Sequence, residues 1–169
     1  MCQCARILIC HRLDKRKYRM KKLFILFVIA TVTPIIVFAV DKHAIFTKAA
    51  PAPIGAYSQA IKLGDVTYLS GQIPLDNKTG ELVKGDFSDQ FKQAIINLSE
   101  ITKASGGNLN DIVKVTVYVT DLANFAVINT VMKEYFHEPY PARVVIEVKG
   151  LPLHAAVEIE AIMAKKAGA

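Results

Sequence analysis

Two stretches near the C-terminal end constrain the fold of this chain most, because each alternates apolar with polar residues over five or more positions. They comprise residues 140–149 and residues 157–162. A repeat of two residues is typical of a β-strand whose two faces meet different surroundings. The sequence therefore predicts two C-terminal strands, each with one apolar face and one charged face.

The alternation also assigns residues to the two faces of these strands. The face predicted to be apolar and buried carries Val144, Ile146, Val148, Val157, Ile159 and Ala161. The opposite face is predicted to carry Arg143, Val145, Glu147, Glu158 and Glu160. This assignment places Arg143 and Glu158 on the same face of one sheet.

Arg143 is the only arginine among the thirteen basic residues from Val40 onward. A lysine would serve equally well if charge alone mattered, whereas a planar guanidinium grips a carboxylate or phosphate with two hydrogen bonds. A cross-strand ion pair with Glu147, Glu158 or Glu160 explains the same arginine without any ligand. Both explanations remain open at this point.

The first 39 residues carry the positive charge of the chain. They contain eight Lys or Arg and one Asp, a net of +7, while the whole chain carries +6. The remaining 130 residues therefore sum to −1. Because a basic surface is the electrostatic signature of nucleic-acid binding, no nucleic-acid partner is predicted for the body of the chain.

These residues have the layout of a signal peptide. Lys21 and Lys22 precede an apolar run over residues 23–40, and Val37 and Ala39 occupy the positions that a signal peptidase reads before a cleavage after Ala39. The run is also just long enough to span a bilayer, so an uncleaved membrane anchor is the alternative.

The predicted domains are thus a signal peptide or anchor at residues 1–39 and one folded domain at residues 40–169. Met20 is a candidate for the true start, because the segment before it is unusually long and basic for a signal. We expect the leader to interact with the membrane or the export machinery. The domain is then periplasmic or secreted after cleavage, or membrane-anchored without it.

Cysteine and histidine chemistry is not predicted for the domain. All three cysteines, Cys2, Cys4 and Cys10, lie in the leader, which leaves no thiol nucleophile, disulfide or zinc–thiolate site after Val40. Histidines at metal-binding spacing and a glycine-rich phosphate loop are also missing. We expect neither a metal nor a cofactor.

A helical repeat replaces the strand repeat in the middle of the chain. Residues 86–105 present one apolar stripe, which consists of Phe87, Phe91, Ala94, Ile95, Leu98 and Ile101. A second helix is predicted over residues 121–137, with Leu122, Phe125, Ile128, Met132 and Tyr135 inward. Strands are predicted at residues 54–61, 66–70 and 111–119, the last with Val113, Val115, Val117 and Val119 on its buried face.

This order of elements predicts an α+β domain with two helices on one face of a single sheet. The uncovered sheet face would combine apolar side chains with charged ones. Such a mixture is too apolar for a solvated face and too charged for a core. It indicates a subunit interface that contains a polar pocket.

Five segments together resemble the RidA/YjgF family over roughly residues 48–164. They are Ile54-Gly-Ala-Tyr-Ser-Gln-Ala60, Ser70-Gly-Gln-Ile-Pro74, Asp111-Ile-Val-Lys-Val-Thr-Val-Tyr-Val119, Pro141-Ala-Arg143 and Glu158-Ile-Glu-Ala161. The resemblance implies a chorismate-mutase-like α+β fold and a homotrimer with inter-subunit sites. It also implies hydrolysis of 2-aminoacrylate and related 2-imino acids, such as 2-iminopropanoate and 2-iminobutanoate, to 2-oxo acids and ammonia without a cofactor.

The resemblance also implies roles for individual residues. Arg143 would bind the substrate carboxylate, and Glu158 would activate the attacking water. The other implied substrate-binding residues are Tyr57, Ser70, Gly71, Asn129 and Val145. For Asn129 a solvated position on a helix is an equal alternative, and Glu160 is expected to form a structural ion pair.

This chain departs from many family members at two of the matching positions. Val145 stands where many have cysteine, and Ala56 where many have proline. The backbone carbonyl credited to that cysteine is retained by valine, whereas thiol-based switching is lost. A non-catalytic ligand-binding or chaperone-like trimer is the alternative function. A ribonuclease is a third reading, disfavoured by the −1 charge of the body.

Overall fold

The computed structural model describes residues 41–165, which form six strands and two α-helices. The strands are β1 (Lys42–Ile45), β2 (Ala60–Leu63), β3 (Val66–Gln72), β4 (Ile112–Val119), β5 (Ala142–Glu147) and β6 (Val157–Ala164). The helices are α1 (Phe87–Ala104) and α2 (Phe125–Tyr135). The predicted leader, its cleavage position and the candidate start Met20 lie outside the described residues.

All six strands belong to one mixed sheet with the order β1-β2-β3-β6-β4-β5. Every neighbouring pair is antiparallel except β4 and β5, which are parallel. The α2 segment supplies the long connection that a parallel pair requires. The predicted single sheet with two helices is confirmed, although the strand predicted at residues 54–61 begins only at Ala60.

Helix α1 begins and ends as the sequence predicts. The Asp86 carboxylate accepts a hydrogen bond from the Asp89 N–H (3.0 Å) at its N-terminus. At its C-terminus Gly106 has a φ of +84°, and the Gly107 N–H donates to the Thr102 carbonyl (3.0 Å). This left-handed turn is the C-terminal cap that glycine favours. The apolar stripe of the helix is buried, with Phe87 partly covered at its start.

Helix α2 is shorter than predicted, and its first apolar residues are exposed. Leu122 lies in a preceding 3₁₀ turn, and both Leu122 and Phe125 lie outside the core. The prediction that these two side chains point inward is therefore wrong. Ile128 and Met132 are buried as predicted and belong to the same core as the apolar stripe of α1.

Strand β4 contains a β-bulge that changes which of its residues are buried. Ile112 pairs with Met163 and Lys114 pairs with Ile162, so Val113 is an extra residue without a partner on β6. The bulge breaks the alternation at its N-terminal end. Val113 is exposed and Ile112 is buried, which corrects the predicted inward position of Val113.

The register of β5 reverses the predicted faces of that strand. Val145 pairs with Val117 of the core, whereas Ile146 pairs with Tyr118 on the open face. Directly paired residues project from the same face, so Arg143, Val145 and Glu147 lie on the helix-covered face. Val144 and Ile146 lie on the open face and are 39% and 40% exposed. The prediction that Arg143 and Glu158 share one face is therefore wrong.

The physical reason lies in the position of β5 at the edge of the sheet. Only Val145 of this strand reaches the core that the helices cover. The long side chain of Arg143 runs instead from the edge strand toward α2. The Glu147 carboxylate accepts a hydrogen bond from the Leu122 N–H (3.0 Å) at the start of the 3₁₀ turn before α2. The polar side chains of Arg143 and Glu147 thus find hydrogen-bonding partners at the edge of the sheet. At the same positions a central strand would carry apolar side chains that pack into the core.

The core lies between the two helices and the covered face of the sheet. It is formed by the stripe of α1 together with β-branched and other apolar residues, including Val115, Val117, Val157 and Ile159. Within residues 41–165, neither helix combines the length and apolar character that a membrane span requires.

Candidate functional site

Two cavities on different sides of the protomer contain most of the predicted site residues. The first, here the glutamate cavity, has a volume of about 460 Å³ and lies on the open sheet face; its lining includes Tyr57, Ser70, Gly71, Glu158 and Glu160. The second, here the arginine cavity, has a volume of about 440 Å³ and is lined by Asn129, Met132, Lys133, Tyr140, Pro141 and Arg143.

One wall of the glutamate cavity is held in place by the buried side chain of Gln59. Its amide N–H groups donate to the carbonyls of Thr47 (3.0 Å) and Pro51 (2.9 Å), and its carbonyl accepts from the Thr47 N–H (2.6 Å). Residues 47–51 have no regular structure of their own, so this one amide supplies the partners that a strand would otherwise provide. Pro51 thereby becomes part of the cavity wall.

Ser70 fixes the loop that carries Tyr57. The Ser70 hydroxyl donates to the Ser58 carbonyl (2.7 Å), and the Ser70 N–H donates to the Gln59 carbonyl (3.0 Å). The Tyr57 hydroxyl accepts a hydrogen bond from the Ile54 N–H (3.3 Å), and its ring remains half exposed over the cavity. The hydroxyl proton of Ser70 is therefore engaged within the loop, although the residue still lines the cavity.

Gly71 makes room for the Glu158 side chain. A Cβ built on Gly71 would collide with the Glu158 carboxylate. The crowding group is the candidate base itself, so this position requires a residue without a β-carbon. The backbone of β3 and the side chain from β6 are thus pressed together at the floor of the cavity.

The Glu158 carboxylate has the electrostatic character of a proton acceptor. Burial raises the pKa of Glu158 above its ordinary value, and the neighbouring charge of Glu160 raises it further. Among residues 41–165 no hydrogen bond to this carboxylate is formed, which leaves both of its oxygens available to a ligand or water. A carboxylate with a raised pKa is a stronger base at neutral pH.

Glu160 is held by a hydroxyl and not by a cation. The Tyr118 hydroxyl donates to the Glu160 carboxylate (3.1 Å), and no ion pair to Glu160 exists within the described part of the chain. The expected structural ion pair of Glu160 is therefore not formed within residues 41–165, where a tyrosine hydroxyl is its partner. Tyr118 was not among the predicted site residues, although its place in the alternation of β4 puts it on the same face as the two glutamates.

In the arginine cavity, Arg143 is held by an amide and an aromatic ring. Its Nη2 donates to the Asn129 Oδ1 (2.7 Å), and its Cζ lies 5.6 Å from the centre of the Phe125 ring. An ion pair to a glutamate, the other explanation of Arg143, is absent within residues 41–165. The guanidinium keeps donors free for a ligand, because a single amide oxygen satisfies few of its five N–H groups.

Asn129 lies beside Arg143 in the cavity and not on a solvated helix face. Val145 packs against the core, and its side chain lines neither cavity. Phe125 was assigned to the core by its spacing, yet it forms the ring contact of Arg143. The substrate roles predicted for these residues remain predictions, whereas their positions are now defined.

Metal-binding clusters are not found in the described residues: no three or more His, Cys, Asp or Glu side chains converge there. The polar groups of the two cavities are carboxylates, an arginine, a lysine, amides and hydroxyls. These groups can bind an anion, accept a proton and orient a water molecule.

The chain is similar in sequence to a described protein family and to named proteins. The family model described as Endoribonuclease L-PSP matches residues 47–165. A RutC family protein of Pyrococcus horikoshii is 54% identical over 125 residues, which cover 74% of this chain and 99% of that protein. The mouse protein named 2-iminobutanoate/2-iminopropanoate deaminase is 44% identical over 124 residues, covering 73% of this chain and 92% of its own.

A solved structure shows the same fold. RidA from the Antarctic bacterium Psychrobacter superposes with a TM-score of 0.70 and 47% sequence identity, covering 72% of this chain and 98% of that one. The residues that match the family model, 47–165, include strands β2–β6, both helices and the residues that line the two cavities. The chain therefore belongs to the RidA/YjgF/RutC family.

Proposed function

We propose that this protein hydrolyses reactive 2-imino acids, such as 2-iminopropanoate, 2-iminobutanoate and the imine tautomer of 2-aminoacrylate, to 2-oxo acids and ammonia. The observation that carries the proposal is Arg143, a cavity-lining guanidinium without a carboxylate partner in residues 41–165. Such a group recognises the carboxylate that all these substrates carry. The deaminase names of relatives at 43–45% identity support imine deamination in general.

In the proposed reaction, the arginine cavity binds the substrate and the glutamate cavity supplies the base. Arg143 binds the substrate carboxylate, and Asn129 keeps the guanidinium in place through its 2.7 Å hydrogen bond. Water adds to the carbon of the C=N bond, and Glu158 takes the proton that the water loses. Glu158 returns this proton to the nitrogen, which gives a tetrahedral adduct with one hydroxyl and one amino group. The hydroxyl proton then moves to the nitrogen, the C–N bond breaks, and ammonia leaves as the C=O bond forms. The reaction consumes one water and requires no redox partner.

A complete site requires two protomers in this proposal. Arg143 and Glu158 lie on opposite faces of the sheet within one protomer, so they cannot hold the same small substrate there. The open face of a second copy brings its glutamate cavity to the arginine cavity of the first. We propose a homotrimer with inter-subunit sites, in which the exposed Val144 and Ile146 are covered by a neighbouring subunit.

Substitution of Arg143 tests the proposed function directly. A guanidinium–carboxylate contact contributes about 1.5–3 kcal/mol, or on the order of 10- to 150-fold in binding. Arg143→Ala is expected to lower kcat/KM for 2-imino acids by at least that factor, measured by loss of semicarbazone formation from imines generated in situ. Arg143→Lys should recover only part, because an ammonium keeps the charge without the planar fork.

Glu158→Gln provides the complementary measurement. It is expected to lower mainly kcat, since proton transfer from water is needed in the transition state and not for substrate binding. Lys149→Ala and Glu81→Gln, both at exposed positions, serve as controls and should behave like the wild type. Circular dichroism and light scattering establish that each variant stays folded and assembled.

Retained turnover in an assembled Arg143→Ala variant contradicts the role of Arg143 in binding the substrate carboxylate. Absence of imine turnover in the assembled wild-type protein contradicts the deaminase proposal and favours the alternative of a non-catalytic ligand-binding or chaperone-like trimer. The name of the matching family model refers to endoribonucleases, but residues 40–169 carry a net charge of −1. Binding to a polyanion depends on neutralising phosphates with Lys and Arg, so this charge disfavours an RNA substrate.

A further inference from the structure

The open face of the sheet carries a tyrosine and two glutamates on the neighbouring strands β4 and β6. Tyr118 of β4 pairs directly with Glu158 of β6, and its hydroxyl reaches diagonally to the carboxylate of Glu160 at 3.1 Å. Glu158 and Glu160 are separated by one residue on β6, so their side chains leave the same face about 7 Å apart. Both glutamates line the glutamate cavity.

The two carboxylates are restrained to different degrees. Glu160 accepts the hydrogen bond of Tyr118, whereas Glu158 has no hydrogen-bonding partner within residues 41–165. Burial raises the pKa of the Tyr118 hydroxyl, and its hydrogen bond to Glu160 raises it further, so the hydroxyl stays protonated and remains a donor. One carboxylate is therefore anchored, and the other is free to exchange a proton.

Other titratable groups on this face lie farther along the strands or at its rim. Tyr68 of β3 and Lys114 of β4 line a smaller neighbouring cavity of about 290 Å³ together with Glu160. Tyr57 lies over the glutamate cavity from its loop. None of these groups forms a hydrogen bond or an ion pair with Glu158 in the described part of the chain, so Glu160 is the charged neighbour of Glu158 that the geometry singles out.

We propose that Tyr118 and Glu160 are a positioning pair for Glu158: Tyr118 fixes the Glu160 carboxylate, and the fixed negative charge strengthens Glu158 as the base that takes the proton of the attacking water. The role in turnover rests on the proposed deaminase function. The coupling of charge between the two glutamates does not, because it is a property of the folded protein and is measurable without substrate.

The physical basis is the repulsion between two like charges at close range in a partly buried site. When Glu160 is ionised, placing a second negative charge on Glu158 is less favourable, and Glu158 holds a proton more tightly. Removal of the Glu160 charge is therefore expected to lower the pKa of Glu158. Loss of the Tyr118 hydroxyl releases Glu160 from its anchor and is expected to act in the same direction with a smaller effect.

The first test follows the Glu158 carboxyl carbon by ¹³C NMR as a function of pH in the full chain. Glu160→Gln should displace the titration midpoint of Glu158 downward by about half a pH unit or more. Tyr118→Phe should displace it less and in the same direction. Tyr68→Phe, a matched change on the same face at a hydroxyl that forms no hydrogen bond with either glutamate in the described residues, should leave the midpoint where it is in the wild type.

The second test measures turnover of 2-imino acids across pH. In Glu160→Gln the acidic limb of the kcat profile should move to lower pH by the same amount as the NMR midpoint, and the plateau kcat should fall several-fold because the base is weaker. KM should stay within about two-fold, since neither residue of the pair binds the carboxylate. Glu160→Asp, which restores the charge, should return part of the plateau.

The outcomes separate the two proposals. An unchanged Glu158 midpoint in Glu160→Gln overturns the positioning pair, whatever the activity is. If the Glu158 midpoint is displaced in Glu160→Gln but the wild-type protein does not hydrolyse imines, the charge coupling is upheld and the proposed reaction is overturned. A displaced midpoint together with an unmoved pH profile of turnover overturns the role of Glu158 as the base that the pair strengthens.

Discussion

At the scale of single residues, the contact between Gly71 and Glu158 defines the floor of the glutamate cavity. The backbone of β3 approaches the side chain of β6 so closely that any β-carbon at position 71 would occupy the space of the carboxylate. This contact restricts where Glu158 can lie. A base must be held within a fraction of an ångström of its productive position to act efficiently, so the glycine matters to chemistry more than to stability.

Gly71→Ala is therefore expected to displace Glu158 while leaving the fold intact. The crowding atoms are the end of a flexible side chain, which can rotate away at little cost in stability. We expect kcat to fall by about ten-fold or more with KM little changed. Gly150→Ala is the matched control, because a β-carbon there would meet no atom within 4 Å.

A double variant distinguishes displacement of Glu158 from a general effect on the cavity. In the Glu158→Ala background the collision no longer exists, so Gly71→Ala should cause no further loss of kcat. An additional large loss in that background would show that the β-carbon acts on the backbone of β3 or on the substrate itself. The steric explanation would then be wrong.

At the scale of secondary-structure elements, the sequence predicted central parts of the sheet better than its edge. Helix α1, the core-facing residues of β6 and the two-helix architecture follow from repeats of 3.6 and 2 residues that burial enforces. The edge strand β5 lacks that constraint, because only Val145 reaches the core from its covered face. Choosing the more apolar set as the inward one therefore placed Arg143 on the wrong face.

The candidate site was predictable as a set of residues and not as an arrangement. Resemblance to a family identified Arg143, Glu158 and Asn129 by position, but the distribution of these residues over two faces depends on the strand register. The bond between Tyr118 and Glu160 was also not predictable, since a diagonal contact across strands requires the register to be known. A β-bulge such as that at Val113 leaves no comparable signal in a single sequence.

Gln59 provides a test of how a segment without regular structure is held against the sheet. Its buried amide makes three hydrogen bonds of 2.6–3.0 Å to residues 47–51. Gln59→Ala is expected to lower the free energy of unfolding by about 2–4 kcal/mol, because the backbone groups lose their partners in a site from which water is excluded. Urea unfolding at a fixed protein concentration measures this change.

The control for this prediction is Gln93→Ala at a half-buried position of α1. Gln93 makes one side-chain hydrogen bond, to Asn97 (2.9 Å), so its loss should cost about 0.5–1.5 kcal/mol. Gln59→Ala should also raise KM, since Pro51 and Ala52 line the glutamate cavity. Equal destabilisation in the two variants would show that the segment is held by other contacts.

At the scale of the whole molecule, the open sheet face is the surface that we expect a second copy to cover. Tyr68, Val144 and Ile146 expose apolar surface there beside two partly buried glutamates. An antiparallel sheet can leave one face in water when that face is polar, but the open face here combines apolar with charged side chains. A second copy is the partner that completes the proposed site, because its arginine cavity would meet the glutamate cavity of the first copy.

Mixed assemblies of two inactive variants test the inter-subunit site, which is the most specific consequence of this arrangement. Arg143→Ala keeps an intact glutamate cavity, and Glu158→Gln keeps an intact arginine cavity. In randomly mixed trimers, one interface in four joins the two intact cavities, so about a quarter of the wild-type activity should return. Co-expression with two different affinity tags gives the mixed species, and light scattering should give about three times the monomer mass.

A matched control uses two variants that both damage the glutamate cavity. Gly71→Ala mixed with Glu158→Gln should recover no activity beyond that of the separate variants, because no interface then contains an intact glutamate cavity. Recovery in the first mixture alone is the expected result. Absence of recovery there, or a stable monomer at micromolar concentration, contradicts a site shared between subunits. Arg143 and Glu158 would then have to act separately, since the sheet keeps them on opposite faces of each protomer.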